Sequence, residues 1–345
     1  MKKALSLCMA LFLSLALFTG CSNGASTPSP SAGTPSESTP VDSSSVSSTD
    51  FPNSPVKIIV ARKAGGSADM VARMYAPYLQ KALGVNVVVE NVDGGSGKIG
   101  LSQAFRAAPD GYTLVLGNFP SYVLTQHIEG GVDYVMSDFE PIVGVSGNEG
   151  NVLIVPGDSP FNSVEELLAY DQENPGKLNM AVTSGLSNSS LAQAMFISQT
   201  KLQSATIPYD DGNSCVTAVM GKHVDMAVCS GVAAYQPASD GTIKVLCTFG
   251  PEEDDKLPDV PTFASMYGEE YAYDVVMGIL APPETPEDVL AILREAGLDA
   301  AQDPEFAAAA GDSFTVVPRN DEELAEVISG CYDLADSVKD LLASN

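Results

Sequence analysis

The chain has 345 residues, enough for two domains, and sets 44 aspartates and glutamates against 17 lysines and arginines, a formal charge of −27. With no basic patch and no interleaving of aromatic and basic residues, that balance argues against nucleic acid as a partner. Two histidines, His127 and His223, and six cysteines with no CxxC pair and no Cys/His cluster at zinc spacing leave no expected metal site, and no cofactor is expected either.

Lys2-Lys3 followed by the apolar run Ala4 to Phe18 reads as a secretory leader, too short to span a bilayer comfortably. It ends Leu17-Phe18-Thr19-Gly20-Cys21, which resembles a bacterial lipobox, so residues 1–20 are expected to be removed and Cys21 lipidated. Phe18 departs from the leucine usual there. Nineteen of the 29 residues from 22 to 50 are Ser, Thr or Pro, a composition that cannot bury enough apolar surface to fold. Residues 21–50 are therefore read as a stalk with a reach of roughly 30 Å by random-coil scaling. Losing the two lysines of the leader takes the formal charge from −27 to −29.

The folded part opens with Lys57 to Arg73, KIIVARKAGGSADMVAR. Ile58-Ile59-Val60 predicts a buried strand, Gly65-Gly66 a turn, and Ser67 the N-cap of a helix on which Val71, Met74, Tyr75, Tyr78, Leu79 and Leu83 recur at helical spacing. Two residues without side chains let a ligand approach the backbone, and unpaired N–H groups at a helix start favour an anion.

NVVVE (86–90) is a second predicted strand, and the loop Asp93-Gly94-Gly95-Ser96-Gly97-Lys98 precedes a helix over Gly100–Ala108. The GGSGK run is not a P-loop. Ile99 stands where a magnesium-holding hydroxyl belongs, and the first glycine is missing. A third strand, Tyr112–Gly117, runs into Asn118-Phe119-Pro120-Ser121. Beyond it, predicted strands at 152–155, 178–182, 205–208, 224–229 and 243–249 alternate with helices at 164–170 (N-cap Ser163), from 191, through Met220, at 286–296 and at 321–342. This alternation predicts an α/β fold with mostly parallel sheets and helices on both faces, with ligands at the carboxyl ends of the strands.

Several ordered motifs then carry a resemblance: FPNSPVKIIV, AGGSADMVAR, VVVENVDGGSGKIG, AAPDGYTLVLG, IPYDDGNSCVTAVMGKHVD and KLPDVPTF. From Phe51 onward the chain resembles the extracytoplasmic solute receptors of the tripartite tricarboxylate transporter family, the Bug-type receptors. The resemblance implies a two-domain, periplasmic-binding-protein-like Venus flytrap. One lobe would be 51–150 plus 271–345 and the other 151–270, with a small carboxylate in the cleft and a membrane permease as partner. It implies a monomeric binding protein and no enzyme. Its first ligand loop falls on Gly65, Gly66, Ser67 and Asp69, and its second-lobe loop on Tyr209, Asp210, Asp211 and Gly212. Many relatives carry a histidine where Gln193 stands here.

Asn118 and Ser121 join the candidate ligand set. So do Thr183, Ser184, Ser187, Asn188 and Ser189, from a run of hydroxyls and amides richer than a helix cap needs. Asp69 has two readings, a helix-start acid favoured by the dipole or a group ordering water against the ligand. Arg62 and Lys63 could offset ligand charge, though such residues are more often solvated. The two histidines lack nucleophile partners and are read as surface or packing residues. Cys229 and Cys247 could pair or remain buried thiols. A neutral or zwitterionic solute in the same fold is the alternative. A secreted hydrolase finds no G-x-S-x-G or S-x-x-K support.

Overall fold

Strand β1 (Val56–Val60) shows why the chain layers as it does. Ile58, Ile59 and Val60 are fully buried, because successive side chains of a strand point to opposite faces and both faces are covered. Ile58 and Val60 pack with Val71, Tyr75 and Leu79 of helix α1 (Ser67–Leu83), while Ile59 joins the core of the opposite face. Each such side chain stabilises the fold by about 1.5–3 kcal/mol through burial. Helix α1 stops at Gly84, whose left-handed backbone returns its N–H to Gln80 O.

The computed structural model describes residues 51–147, 150–183, 185–311 and 313–343. The leader, Cys21, the stalk and Ser184 lie outside them. After α1 come β2 (Val87–Asn91), α2 (Lys98–Phe105), β3 (Thr113–Phe119), the single turn α3 (Ser121–Leu124) and β4 (Glu140–Ser146). The chain then crosses to a second lobe. This holds β5 (Asn151–Pro156), α4 (Val164–Glu173), β6 (Asn179–Thr183), α5 (Asn188–Thr200), β7 (Ala205–Tyr209), α6 (Gly212–Met220), β8 (Met226–Ser230), α7 (Gly231–Ser239) and β9 (Ile243–Thr248). A return segment carries α8 (Phe263–Tyr267) and leads to β10 (Val276–Ala281), α9 (Glu287–Gln302), α10 (Pro304–Ala310), β11 (Val316–Arg319) and α11 (Asp321–Ala343).

Two sheets result, ordered β11-β4-β10-β3-β1-β2 and β7-β6-β8-β5-β9. The fold is the expected two-domain α/β arrangement, but the sheets are mixed and not mostly parallel. β1, β2 and β3 are parallel, as are β6, β7 and β8, whereas β10 and β5 run against their neighbours and the edge strand β11 runs against β4. For β5 and β10 the reason is the crossings. A strand leaving a lobe ends at the edge facing the other lobe, so the strand entering there must start at that edge and run backwards. β5 and β10 are those entering strands.

The two crossings touch at Gly150 and Gly250. A Cβ on Gly150 would fall 2.3 Å from the Gly250 nitrogen, so only glycine allows this approach. Arg319 ties the same region together, donating to Asp274 Oδ2 at 2.8 Å and to Ser146 O at 3.4 Å. Tyr273 is buried there, its hydroxyl 2.8 Å from Asn151 Oδ1 and 2.7 Å from Asn188 O.

Cys229 and Cys247 are free and buried, as are Cys215 and Cys331. They sit on β8 and β9, separated by β5, and belong to cores on opposite faces of the sheet. Two strand spacings of about 4.8 Å place them beyond disulfide reach.

Candidate functional site

The carboxyl ends of β1, β3, β6, β7 and β8 converge on a cavity of about 220 Å³ between the lobes. That is smaller than the roughly 300–1,000 Å³ of typical drug-sized pockets and suits a compact solute. Most of the side chains that line it are polar. Hydroxyls come from Ser67, Ser121, Thr183, Ser187, Ser189 and Ser230, and amides from Asn118, Asn151, Asn188 and Asn213. Val275 and Met277 are its largest apolar members, and no aromatic residue lines it among the described residues.

Four helices start at this wall: α1, α5, α6 and α7. Each N-terminus carries about half a positive charge from its unsatisfied N–H groups. Two are closed by their own side chains. Ser187 and Ser190 form a capping box on α5, and Asp211 accepts from Ser214 N at 2.8 Å on α6. The N-caps of α1 and α7, Gly66 and Ser230, make no side-chain cap. These two helix starts meet across the cleft, where Ser67 Oγ lies 3.4 Å from Ser230 Oγ; the first amide of α7, Gly231 N–H, is taken by Gly150 O at 3.2 Å, and the amides behind it have no side-chain cap. Ser67 was expected to cap α1. It is the first helical residue instead, because Gly66 takes the extended conformation a cap needs (φ −85°, ψ 175°).

The β1–α1 loop is held from behind. Gly65, in the left-handed region at φ +86°, donates its N–H to Asp69 Oδ2 at 2.8 Å. The other oxygen of Asp69 takes Arg73 Nε at 2.8 Å, and Arg73 reaches Asn91 Oδ1 at 2.7 Å. Asn91 in turn donates to Arg62 O at 3.2 Å. The loop is thus pinned at both ends by one polar network. Burial alone would raise the Asp69 pKa; the Arg73 guanidinium and the Gly65 N–H outweigh it and hold the carboxyl below its ordinary value. Asp69 is buried and is not among the residues that line the cavity. The Gly65 N–H, expected to face a ligand, is taken by Asp69.

The lobes are in contact around the cavity. Lys63 Nζ pairs with Asp210 Oδ2 at 3.0 Å, and the Asp210 carboxylate raises the Lys63 pKa above its ordinary value. Asn213 Nδ2 donates to Gly65 O at 3.1 Å and Asn188 Nδ2 to Asn118 Oδ1 at 2.8 Å.

Of the residues singled out from sequence, Arg62, Lys63, Gly65, Gly66, Ser67, Asn118, Ser121, Thr183, Ser187, Asn188, Ser189, Asp210, Asp211 and Gly212 line the cavity. Tyr209 does not; it is partly buried against the apolar core. Gln193 is buried on α5 away from the wall. His127 sits 2.7 Å from Asp336 and edge-on to Tyr332, and His223 is exposed. Sequence reasoning missed Asp93, Asn151, Asn213 and Ser230 as wall residues and underweighted Arg62. Ser230-Gly231 is readable in retrospect, since a small residue between strand and helix repeats the Gly66-Ser67 pattern. Among the described residues no cluster of three or more His, Cys, Asp or Glu could hold a metal ion.

A family model for the tripartite tricarboxylate transporter family receptor matches residues 71–333. The chain belongs to that receptor family. The receptor is 30% identical over 256 residues to the UPF0065 protein in the gbd 5′ region of Cupriavidus necator, covering 74% of this chain and 77% of that protein. It is 27% identical over 250 residues to protein BugT of Bordetella pertussis, covering 72% and 76%. The solved structure of the periplasmic binding protein BugD superimposes with a TM-score of 0.74 at 29% identity, covering 84% of the receptor and 98% of BugD. The family is one of solute receptors, not enzymes. Among the described residues no helix of the receptor is long and apolar enough to cross a membrane.

Proposed function

We propose that this receptor is an extracytoplasmic lipoprotein, anchored through Cys21, that closes on a small carboxylate and delivers it as a monomer to the permease of a tripartite tricarboxylate transporter. Its lobes divide as 51–150 plus 271–345 and 151–270, with residues 21–50 as a spacer that keeps an acidic domain clear of an anionic surface. The observation that carries the reading is the convergence of four helix starts on one polar cavity, two of them without side-chain caps. Open N–H groups in a site shielded from water bind an anion without needing net positive charge on the domain. Long-range steering of an anion to so acidic a domain is absent, so selection rests on these short contacts.

The three aspartates of the wall favour a zwitterionic solute as the second reading. Asp210 and Asp211 are engaged by Lys63 and Ser214 N, which leaves Asp93 to meet an ammonium group. A thermal-shift screen of mono-, di- and tricarboxylates, amino acids and neutral solutes, followed by calorimetry on hits, separates the two. Stabilisation by carboxylates that carry no amine is expected. Stabilisation by amino acids or neutral solutes alone refutes the first reading. Mass spectrometry of the mature N-terminus is expected to show a lipidated Cys21, and an unmodified residue there rules out the anchor.

A further inference from the structure

The receptor has five arginines, in a chain with 44 acidic residues. Arg73 pairs with Asp69, Arg106 with Asp133, Arg294 with Glu287 and Asp321, and Arg319 with Asp274. Arg62 is the exception. Among the described residues no carboxylate lies within ion-pair distance of its guanidinium, and Arg62 lines the cavity. In so acidic a protein, a half-buried cation without an acidic partner is an uncompensated cost of folding. An anionic group of the solute would compensate it.

The guanidinium is also positioned. One edge donates to Ser121 Oγ at 2.8 Å, its plane lies over the buried Tyr122 ring at 5.2 Å, and its main-chain oxygen is fixed by Asn91. These contacts fix the group while leaving most of its five N–H donors without a protein acceptor among the described residues. A rigid fork of that kind is matched to a planar carboxylate, which it can grip through two parallel bonds. Asp93 lines the same wall but makes no ion pair with it.

We propose that Arg62 is the specificity-determining residue of the cavity and selects solutes carrying a second acid group, one carboxylate being held at the open helix starts and the other by the Arg62 guanidinium. This rests on the carboxylate reading above. The second group must be close to the first, because the cavity that holds both is only about 220 Å³.

The test uses the mature receptor and a panel of malonate, succinate, malate, glutarate and adipate, each against its monoamide, which keeps the shape and removes one charge. Calorimetry on wild type is expected to show at least one diacid bound roughly tenfold or more tighter than its monoamide, the effect of one charge-assisted hydrogen-bonding group. In Arg62→Gln that preference should collapse to about twofold or less, the diacid losing far more affinity than the monoamide, whose neutral amide makes the weaker contact to the guanidinium. Arg62→Lys keeps the charge but loses the fork, and should restore only part of the preference. Thermal unfolding of each variant shows that the fold is intact. Equal wild-type affinity for diacid and monoamide, or a preference that survives in Arg62→Gln, overturns the proposal and leaves the carboxylate reading standing. Wild type that binds no carboxylate at all, mono or di, sinks that reading itself.

Discussion

Asp69→Asn is the sharpest perturbation of the loop that carries Gly66 and Ser67. The wild-type carboxylate accepts two donors on separate oxygens, Gly65 N–H and Arg73 Nε, each at 2.8 Å. An amide has one oxygen, so it can keep one of these bonds and must turn an NH₂ toward the other donor. If the oxygen stays with Gly65, that bond falls from charge-assisted to neutral, a loss of about 1 kcal/mol. The Arg73 contact is lost, but Arg73 is half exposed and rehydrates, so this part is worth about 0.5–1 kcal/mol after screening. The expected destabilisation is about 1–2 kcal/mol at neutral pH, a fall in Tm of roughly 2–6 °C for a domain of this size. Urea unfolding followed by circular dichroism measures it.

The pH dependence gives a second reading of the same variant. The folded-state pKa of Asp69 is depressed, so its stabilisation is fully present above the unfolded value near 3.9 and is lost as pH falls through the lower folded value. The gap between wild type and Asp69→Asn should therefore shrink toward zero in acid. A variant as stable as wild type at pH 7, or a gap that persists unchanged in acid, refutes the reasoning.

Gly65→Ala should cost about 1–2 kcal/mol through its left-handed backbone alone, since nothing lies within 4 Å of the added Cβ. Gly66→Ala meets only Lys63 O at 3.7 Å, so its Tm should stay near wild type while carboxylate affinity falls; calorimetry beside thermal unfolding separates the two positions. Tyr273→Phe removes the hydroxyl that donates to Asn151 Oδ1, and chemical denaturation should show a loss of about 1–3 kcal/mol for leaving that buried acceptor unpaired. Small-angle scattering should give a smaller radius of gyration at saturating solute than without it, as hinge closure requires; superimposable profiles count against closure.

The elements that read most clearly in the sequence are those with an unbroken period. β1 with its three buried branched residues, α4 behind Ser163, and the ends of α6 and α11 are found close to where the pattern puts them. β4 and β10 were not legible, although they lie side by side near the middle of the first sheet. Gly144 and Gly278 interrupt their apolar runs, and glycine inside a strand argues against one. The structure supplies the compensation: a Cβ on Gly278 would lie 2.8 Å from Leu324 Cδ2, and one on Gly144 would lie 2.8 Å from Arg319 Cβ, so these glycines admit β11 and α11 to the sheet. The parallel expectation failed for a related reason, since direction depends on which edge the chain enters and no local pattern records that. At the site, loop residues flanked by glycine or hydroxyl runs were legible. Arg62 was legible only as one of two cations, with Lys63, that could offset ligand charge, and Asn151 not at all, because what distinguishes them is a missing partner and a hinge contact, both tertiary facts.

The four buried thiols make the receptor its own unfolding gauge. Burial raises every one of them, Cys215 to about 11 and Cys331 to about 12, with Cys229 and Cys247 higher still. A maleimide or dithiobenzoate reagent in solution therefore finds none of these four as a thiolate until the chain opens. Cys215, Cys229 and Cys247 sit in the second lobe and Cys331 on α11, so labelling rates at Cys331 and at the other three time the opening of two different regions of one molecule. Adding solute should slow both clocks if it bridges the lobes, and only one if it rests on a single wall.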